Sequence, residues 1–306
     1  MGFFIYISEE IYKTVRNWRD ITFSFMLSLL IYGGISYVAY DNWDKLFNSI
    51  DDKFYLCYLG PQIWHLFWIL ILHFALWIVY ENKFEILERY KRKGNFPWEK
   101  DPTAWNSLYQ KTFWNYVINQ CLVFPTLSLV LYLFGVESLI TKEDFPGFRQ
   151  IFWQLIFFHF CYDLFLFIEH RLMHYEPLYS WFHKYHHEYN DVVGILGEYY
   201  HPVEFALQTT ALFIGPKILG GRTHIFTIFL WQMTNIYENI INSYSGYNFP
   251  WKPLGILPFK NEAGYHYYHQ DKNKGSYSFY YNLFDRIFGY DEEFRRDLRE
   301  PKLKEM

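Results

Sequence analysis

Several features common in chains of this size are scarce here. The 306 residues include three cysteines, Cys57, Cys121 and Cys161, and all three fall inside apolar stretches, which excludes a disulfide framework and leaves them as core thiols. Positive charge is not in surplus: 28 Lys and Arg stand against 32 Asp and Glu, a net charge of −4, so the electrostatic footprint of a nucleic-acid binder is missing. The first twenty residues mix Glu9, Glu10, Lys13, Arg16 and Arg19, which fits neither a secretory signal nor an acid-poor, Arg-rich transit peptide. What abounds is apolar and flat. There are 32 Phe, 29 Tyr and 12 Trp, 24% of the chain, and a hydrophobic fraction of 51% excludes intrinsic disorder. A bias toward AT-rich codons alone raises Phe, Tyr, Ile, Asn and Lys, so part of the excess needs no functional cause.

A segment that crosses hydrocarbon needs about 20 residues free of charge. Residues 21–40, between Asp20 and Asp41, meet this, and so do residues 54–80 and 112–136; Pro125 and the polar Asn115, Asn119 and Gln120 predict a kink in the third. A fourth run, 150–168, is apolar apart from His159 and Asp163, and a carboxylate inside a span is by default paired or functional. Two later stretches, 205–214 and 225–236, are too short to cross and read as buried or re-entrant helices. Lys and Arg number 3 before the first span, then 2, 7 and 2 in the successive loops, and 14 after residue 169. By the positive-inside rule both termini and the 81–111 loop then share the cytoplasmic side, or its equivalent in an organelle. The expected architecture is an all-α, integral-membrane four-helix bundle with a helical, histidine-rich cap on that side. Lys91, Arg92 and Lys93 are expected to face lipid headgroups.

Seven of the twelve histidines form tight groups in the second half. His170 and His174 are i, i+4; His183, His186 and His187 are i, i+3, i+4; His266 and His269 are i, i+3, so on helices each set shares a face. Clustered imidazoles with no cysteine and few acids beside them offer more nitrogen ligands than one tetrahedral zinc takes, and two metals are expected, a redox iron pair in preference to zinc. The bland alternative is a helical cap with incidental histidines. Asp163 and His159 extend the face of His170, as an outer shell that orients ligands or as a satisfied polar pair in the bundle. His201, followed by Pro202 and Glu204, is either a further ligand or a helix cap. His65, His73 and His224 are expected to be structural.

Taken together, His-Arg-Leu-Met-His (170–174), Trp-Phe-His-Lys-Tyr-His-His (181–187), His-Pro-Val-Glu (201–204), Ser-Gly-Tyr-Asn-Phe-Pro-Trp (245–251) and Phe-Asp-Arg-Ile-Phe-Gly (284–289) resemble the fatty acid hydroxylase and sterol desaturase superfamily, nearest its methylsterol oxidase branch. The resemblance covers roughly residues 145–290. It divides the chain into an amino-terminal membrane region (1–144), a hydroxylase-like region (145–290) and a charged tail (291–306). It implies a non-haem di-iron centre in a cytosolic cap at the endoplasmic reticulum membrane, and oxygen-dependent hydroxylation, demethylation or desaturation of a sterol or fatty acyl lipid. Electrons would come through a small b-type cytochrome and its reductase. The same resemblance marks departures. Tyr244 precedes Ser-Gly-Tyr where a histidine is usual, Gln270 ends a box that normally reads His-x-x-His-His, and Tyr265 and Phe165 also stand at common histidine positions. Three readings follow: an active di-iron enzyme, with zinc as an alternative metal; a degenerate member with one metal or none, kept as an accessory subunit of a larger membrane complex such as a respiratory assembly of the mitochondrial inner membrane; or a lipid binder without turnover.

Overall fold

The computed structural model describes residues 18–50, 52–92, 94–134, 138–189, 191–249, 260–261 and 263–299. The charge pattern of residues 1–17, Lys93, the end of the third expected span at Val136, and Pro250 and Trp251 of the Ser-Gly-Tyr element lie outside them. Among the described residues there is no strand, only isolated bridges such as Lys91 to Tyr247.

Four helices are long and apolar enough to cross a membrane, over Ile21–Leu46, Tyr55–Asn82, Pro102–Leu133 and Phe148–Met173. They belong to α1 (Trp18–Ser49), α2 (Gly60–Asn82, preceded by a π turn), α3 (Pro102–Ile118) running through a second π turn into α4 (Phe124–Leu133), and α5 (Phe148–Met173). The helices outrun the charge-free windows. α1 continues past Asp41 and Asp44, and α3 starts at Pro102, where the Asp101 carboxylate caps the Thr103 and Ala104 amides at 3.0 Å. Charges end a lipid crossing; they do not end a helix. The irregularity expected near Pro125 appears as the π turn Asn119–Val123, and Pro61 likewise follows the π turn Tyr55–Leu59. In both cases a ring without an N–H removes a donor from the ladder, and the turn before it loosens.

The spans are unequally covered. Within the protein 11% of the α1 window is buried and 22% of the next two, against 56% for α5, which makes α5 the central element. Leu30, Ile63, Leu70, Trp114 and Leu122 stand exposed on the outer spans, an apolar surface that lipid covers. The two shorter apolar stretches are buried helices, as expected: α6 (Pro202–Leu219) and α7 (Ile225–Tyr237). α6 lies so close along α5 that a Cβ at Gly215 would meet Phe158 Cδ1 at 2.7 Å. All of α7 except Phe229 and Tyr237 is buried. Indole N–H groups tie it in place, Trp64 donating to the Phe229 carbonyl at 2.7 Å and Trp231 to that of Leu212 at 2.9 Å. His224 caps α7 through Nδ1, which accepts from the Phe226 amide, so the structural assignment holds.

Lys91 and Arg92 depart from expectation. Lys91 lies over the Phe96 ring at 4.1 Å, with Glu99 at 3.7 Å, and Arg92 over the Tyr267 ring at 5.1 Å. Aromatic faces and an acid within reach draw both cations onto the protein.

Candidate metal centre

α5 ends at the site. His170 lies in its last turn and His174 one turn further, at the helix C-cap, so both rings leave the same face. His183 to Tyr185 form a single 3-10 turn rather than an α-helix, and His186 and His187 follow it. α8 (Ala263–Lys272) brings His266, His269 and Gln270.

The structure sorts the seven histidines into two groups, which spacing had not separated. His170, His174, His183, His187 and His269 each place one ring nitrogen so that all five lie within 4.8 Å of one another. His174 Nε2 is 3.0 Å from His183 Nε2 and 3.2 Å from His269 Nε2; His187 Nε2 is 3.0 Å from His183 Nε2 and 3.3 Å from His269 Nε2. The opposite ring atoms are held. His170 Nδ1 donates to the Tyr277 carbonyl at 2.9 Å and His269 Nδ1 to that of Gly275 at 2.6 Å, while His183 Nδ1 shares a 2.8 Å hydrogen bond with Glu204 Oε1. A carbonyl only accepts, so the proton of a neutral His170 or His269 sits on Nδ1 and the bare Nε2 lone pair points inward. Bare lone pairs about 3 Å apart repel unless something positive stands between them. Nitrogens about 2.1 Å from a shared ion lie about 3.0 Å apart when adjacent and about 4.2 Å apart when opposite, close to what is found. The donor set fits a metal ion.

Electrostatics agree. Burial and the surrounding imidazoles push His174 down to about 2, burial beside His170 pushes His187 down to about 3, and His183 and His269 are held well below the usual histidine range for the same reasons. These rings are neutral at physiological pH, the state a metal requires. Burial drives Glu204 toward its neutral form, and the buried Glu169 beside it adds to the effect. A cation at the Nε2 atoms would supply the counter-charge both carboxyls lack.

The second group holds His186 and His266 together with Tyr244 and Gln270. The Tyr244 hydroxyl shares a 2.5 Å hydrogen bond with His266 Nε2 and lies 3.2 Å from His186 Nε2, and the Gln270 amide contacts His186 Nε2 and lies 3.5 Å from His266 Nε2. The π turn Glu238–Ser243 that ends α7 delivers Tyr244 to this point. A cavity of about 30 Å³ borders both groups, lined by His170, His183, His186, His266, Glu204 and Tyr162 among others.

Other candidate residues fall elsewhere. His201 caps α6, its Nδ1 accepting from the Val203 amide at 3.2 Å, and it is not among the gathered imidazoles. His159 Nδ1 donates to the Leu155 carbonyl and its ring packs on Trp231 in the core, while its Nε2 has no hydrogen-bond partner. Among the described residues Asp163 makes no hydrogen bond to an imidazole. Its Oδ1 accepts from the Phe279 and Tyr280 amides at 3.1 and 2.7 Å, and Asp285 accepts from those of Tyr277 and Ser278, so the two carboxylates fix the segment whose carbonyls hold His170 and His269. Tyr265 donates to Asp285 at 2.7 Å and Phe165 packs in the core, both away from the imidazoles. Sequence reasoning missed Glu204, seen there only beside the cap at His201; the signal was a lone acid among residues bound for the core. It missed Glu198 too, whose carboxylate accepts from Gln120 and Asn239.

Fold and site together define a helical membrane protein with a polyhistidine centre at the end of its central span. The fatty acid hydroxylase family profile matches residues 155–290, so this part of the chain is a fatty acid hydroxylase domain. It is 31% identical over 178 residues to a very-long-chain aldehyde decarbonylase of Oryza sativa subsp. indica, covering 57% of this chain and 66% of the relative, just under two thirds of that protein. It is 30% identical over 167 residues to methylsterol monooxygenase 2-2 of Arabidopsis thaliana (54% and 62%), and 32% identical over 171 residues to a methylsterol monooxygenase of Aspergillus fumigatus (54% and 57%). No solved structure matches the chain significantly.

Proposed function

We propose that this protein is a membrane oxidoreductase carrying out an oxygen-dependent oxidation of a sterol or fatty acyl lipid, with its redox metal held by His170, His174, His183, His187 and His269. The observation that carries the proposal is the convergence of these five neutral imidazoles at ligand spacing. Five nitrogens exceed the four of a structural zinc and suit a six-coordinate iron. Iron bound there would supply the oxidant that an unactivated C–H bond demands. The chain's own residues do the positioning. The carbonyls of Gly275 and Tyr277, with Glu204, keep Nε2 atoms turned inward; Glu204 and Glu169 offset positive charge; and Tyr162, Leu166 and Phe279 wall the cavity against water. Because α5 carries the centre at its end, a lipid carbon reaches it from the bilayer surface without entering bulk water.

The relatives named for methylsterols favour a sterol substrate, and those named for very-long-chain aldehydes keep an acyl chain in view. The positive-inside rule favours a cap on the cytoplasmic side, or its equivalent in an organelle, and the family resemblance suggests the endoplasmic reticulum with a b-type cytochrome and reductase as electron donors. The test is turnover of a methylsterol and of a long-chain acyl lipid by protein in nanodiscs, with labelled dioxygen, NADPH, cytochrome and reductase. The expected result is an oxygen- and NADPH-dependent product from one of the lipids, lost in His187→Ala, carrying label where an oxygen atom is transferred; metal-replete protein that oxidises neither lipid rejects the proposal. One observation favours a second reading, an accessory subunit of a larger membrane assembly: Tyr244 and Gln270 hydrogen-bond to His186 and His266 at positions where the resemblance expects ligands. Migration of the solubilised protein alone on native gels would reject that alternative.

A further inference from the structure

The two histidine groups differ in what their ring nitrogens meet. In the first, the Nε2 atoms of His174, His183, His187 and His269 have one another as neighbours at 3.0 to 3.3 Å, and His170 Nε2 has no hydrogen-bond partner. In the second, the nitrogens meet a phenol and an amide. The Tyr244 oxygen lies 2.5 Å from His266 Nε2 and 3.2 Å from His186 Nε2, while the Gln270 amide bridges the same two rings. Phenol and amide stand where a shared cation would stand, and they already engage both Nε2 atoms.

Three further contrasts point the same way. His170, His183 and His269 are each held through Nδ1, whereas His186 Nδ1, like that of His187 in the first group, has no partner. Among the described residues no carboxylate is hydrogen-bonded to His186 or His266, and the fixed charge that acts on His266 from outside the histidines is positive, the Arg92 guanidinium. Nor can Tyr244 retreat to make room. Its hydroxyl is held 3.2 Å from that of Tyr200, and its ring lies so close on Gly197 that a Cβ there would come within 2.7 Å of Cγ and Cδ2.

We propose that this protein holds one metal ion, in the five-histidine group, and that Tyr244 and Gln270 close the second position with hydrogen bonds. The proposal rests on the reading that the first group binds a metal, and it sharpens that reading: one ion, held by these five imidazoles, would supply the oxidation chemistry.

The test is metal stoichiometry. Full-length protein in nanodiscs is loaded anaerobically with ferrous iron, desalted and assayed by elemental mass spectrometry, alongside the double variant Tyr244→His/Gln270→His. One iron per chain in the wild type and two in the double variant is the expected pair of results. Two in the wild type overturns the proposal. None in the wild type removes the five-histidine reading beneath it, a distinguishable failure, and one in both proteins overturns the assignment to Tyr244 and Gln270. A double variant that does not fold leaves the wild type to decide by electron paramagnetic resonance after oxidation. An uncoupled ferric signal that accounts for all bound iron supports a single site, and a silent, coupled pair contradicts it.

Discussion

Glu204→Gln should move two properties of this protein in opposite directions. In the folded chain Glu204 is buried, hydrogen-bonded to His183 Nδ1 at 2.8 Å and close to the buried Glu169. Glutamine keeps the size and an oxygen to accept the Nδ1 proton but removes the charge that balances a cation on the far side of the ring. Changes to partners that orient a metal-bound histidine typically cost 10- to 100-fold in affinity, or about 1.4 to 2.7 kcal/mol, and the lower figure suits a variant that retains the hydrogen bond. Without metal the same carboxyl is a liability, since burial and Glu169 disfavour its ionised form, so the amide should raise the unfolding midpoint of chelator-treated protein. Affinity is measured by chelator competition and stability by thermal unfolding in detergent with excess chelator. Unchanged affinity, or a metal-free variant less stable than wild type, would refute the role given to Glu204.

Three other outcomes follow from particular contacts. Burial raises Glu198 from its ordinary 4.5 to about 7; the folded state therefore holds a proton that the unfolded chain has released, and stability falls as pH rises from about 4.5 to about 7, by up to roughly 3 kcal/mol. Glu198→Gln should remove that slope, and a stability difference from wild type that stays constant between pH 4 and pH 8 would contradict the assignment. His201→Ala should cost about 1 kcal/mol as a lost helix cap and leave bound metal unchanged, so metal loss on elemental analysis would restore His201 as a ligand. Gly215→Ala should destabilise by about 1 to 3 kcal/mol, because the new methyl meets Phe158 and α5 and α6 are packed too tightly to part; a thermal midpoint equal to wild type would argue against that packing.

The spans were legible because hydrocarbon imposes a simple rule on the chain, the exclusion of charge, and that rule is read residue by residue. Their ends were not, since α1 and α3 extend into water through Asp41 and Pro102, where capping and propensity decide. The histidines announced a metal site by spacing, yet their division did not follow from it. The i, i+4 pairs stayed together, His170 with His174, His183 with His187 and His266 with Gln270, while the i, i+3 neighbours His186 and His266 turned away to the second group. A 3-10 turn at His183 and the register of α8 set that division, and neither is written in hydrophobic periodicity. Asp163 was noticed as an isolated acid in a span, but its partners are backbone amides more than a hundred residues away, a contact that only the folded chain defines. Glu204 escaped notice because its neighbour His201 offered a local explanation as a cap.

The most direct test of the central claim is X-ray absorption at the iron edge on the wild-type protein. About five nitrogen scatterers near 2.1 Å are expected, with the outer-shell pattern of imidazole rings, diminished in His187→Ala. A shell dominated by oxygen, or a spectrum that His187→Ala leaves unchanged, would contradict it.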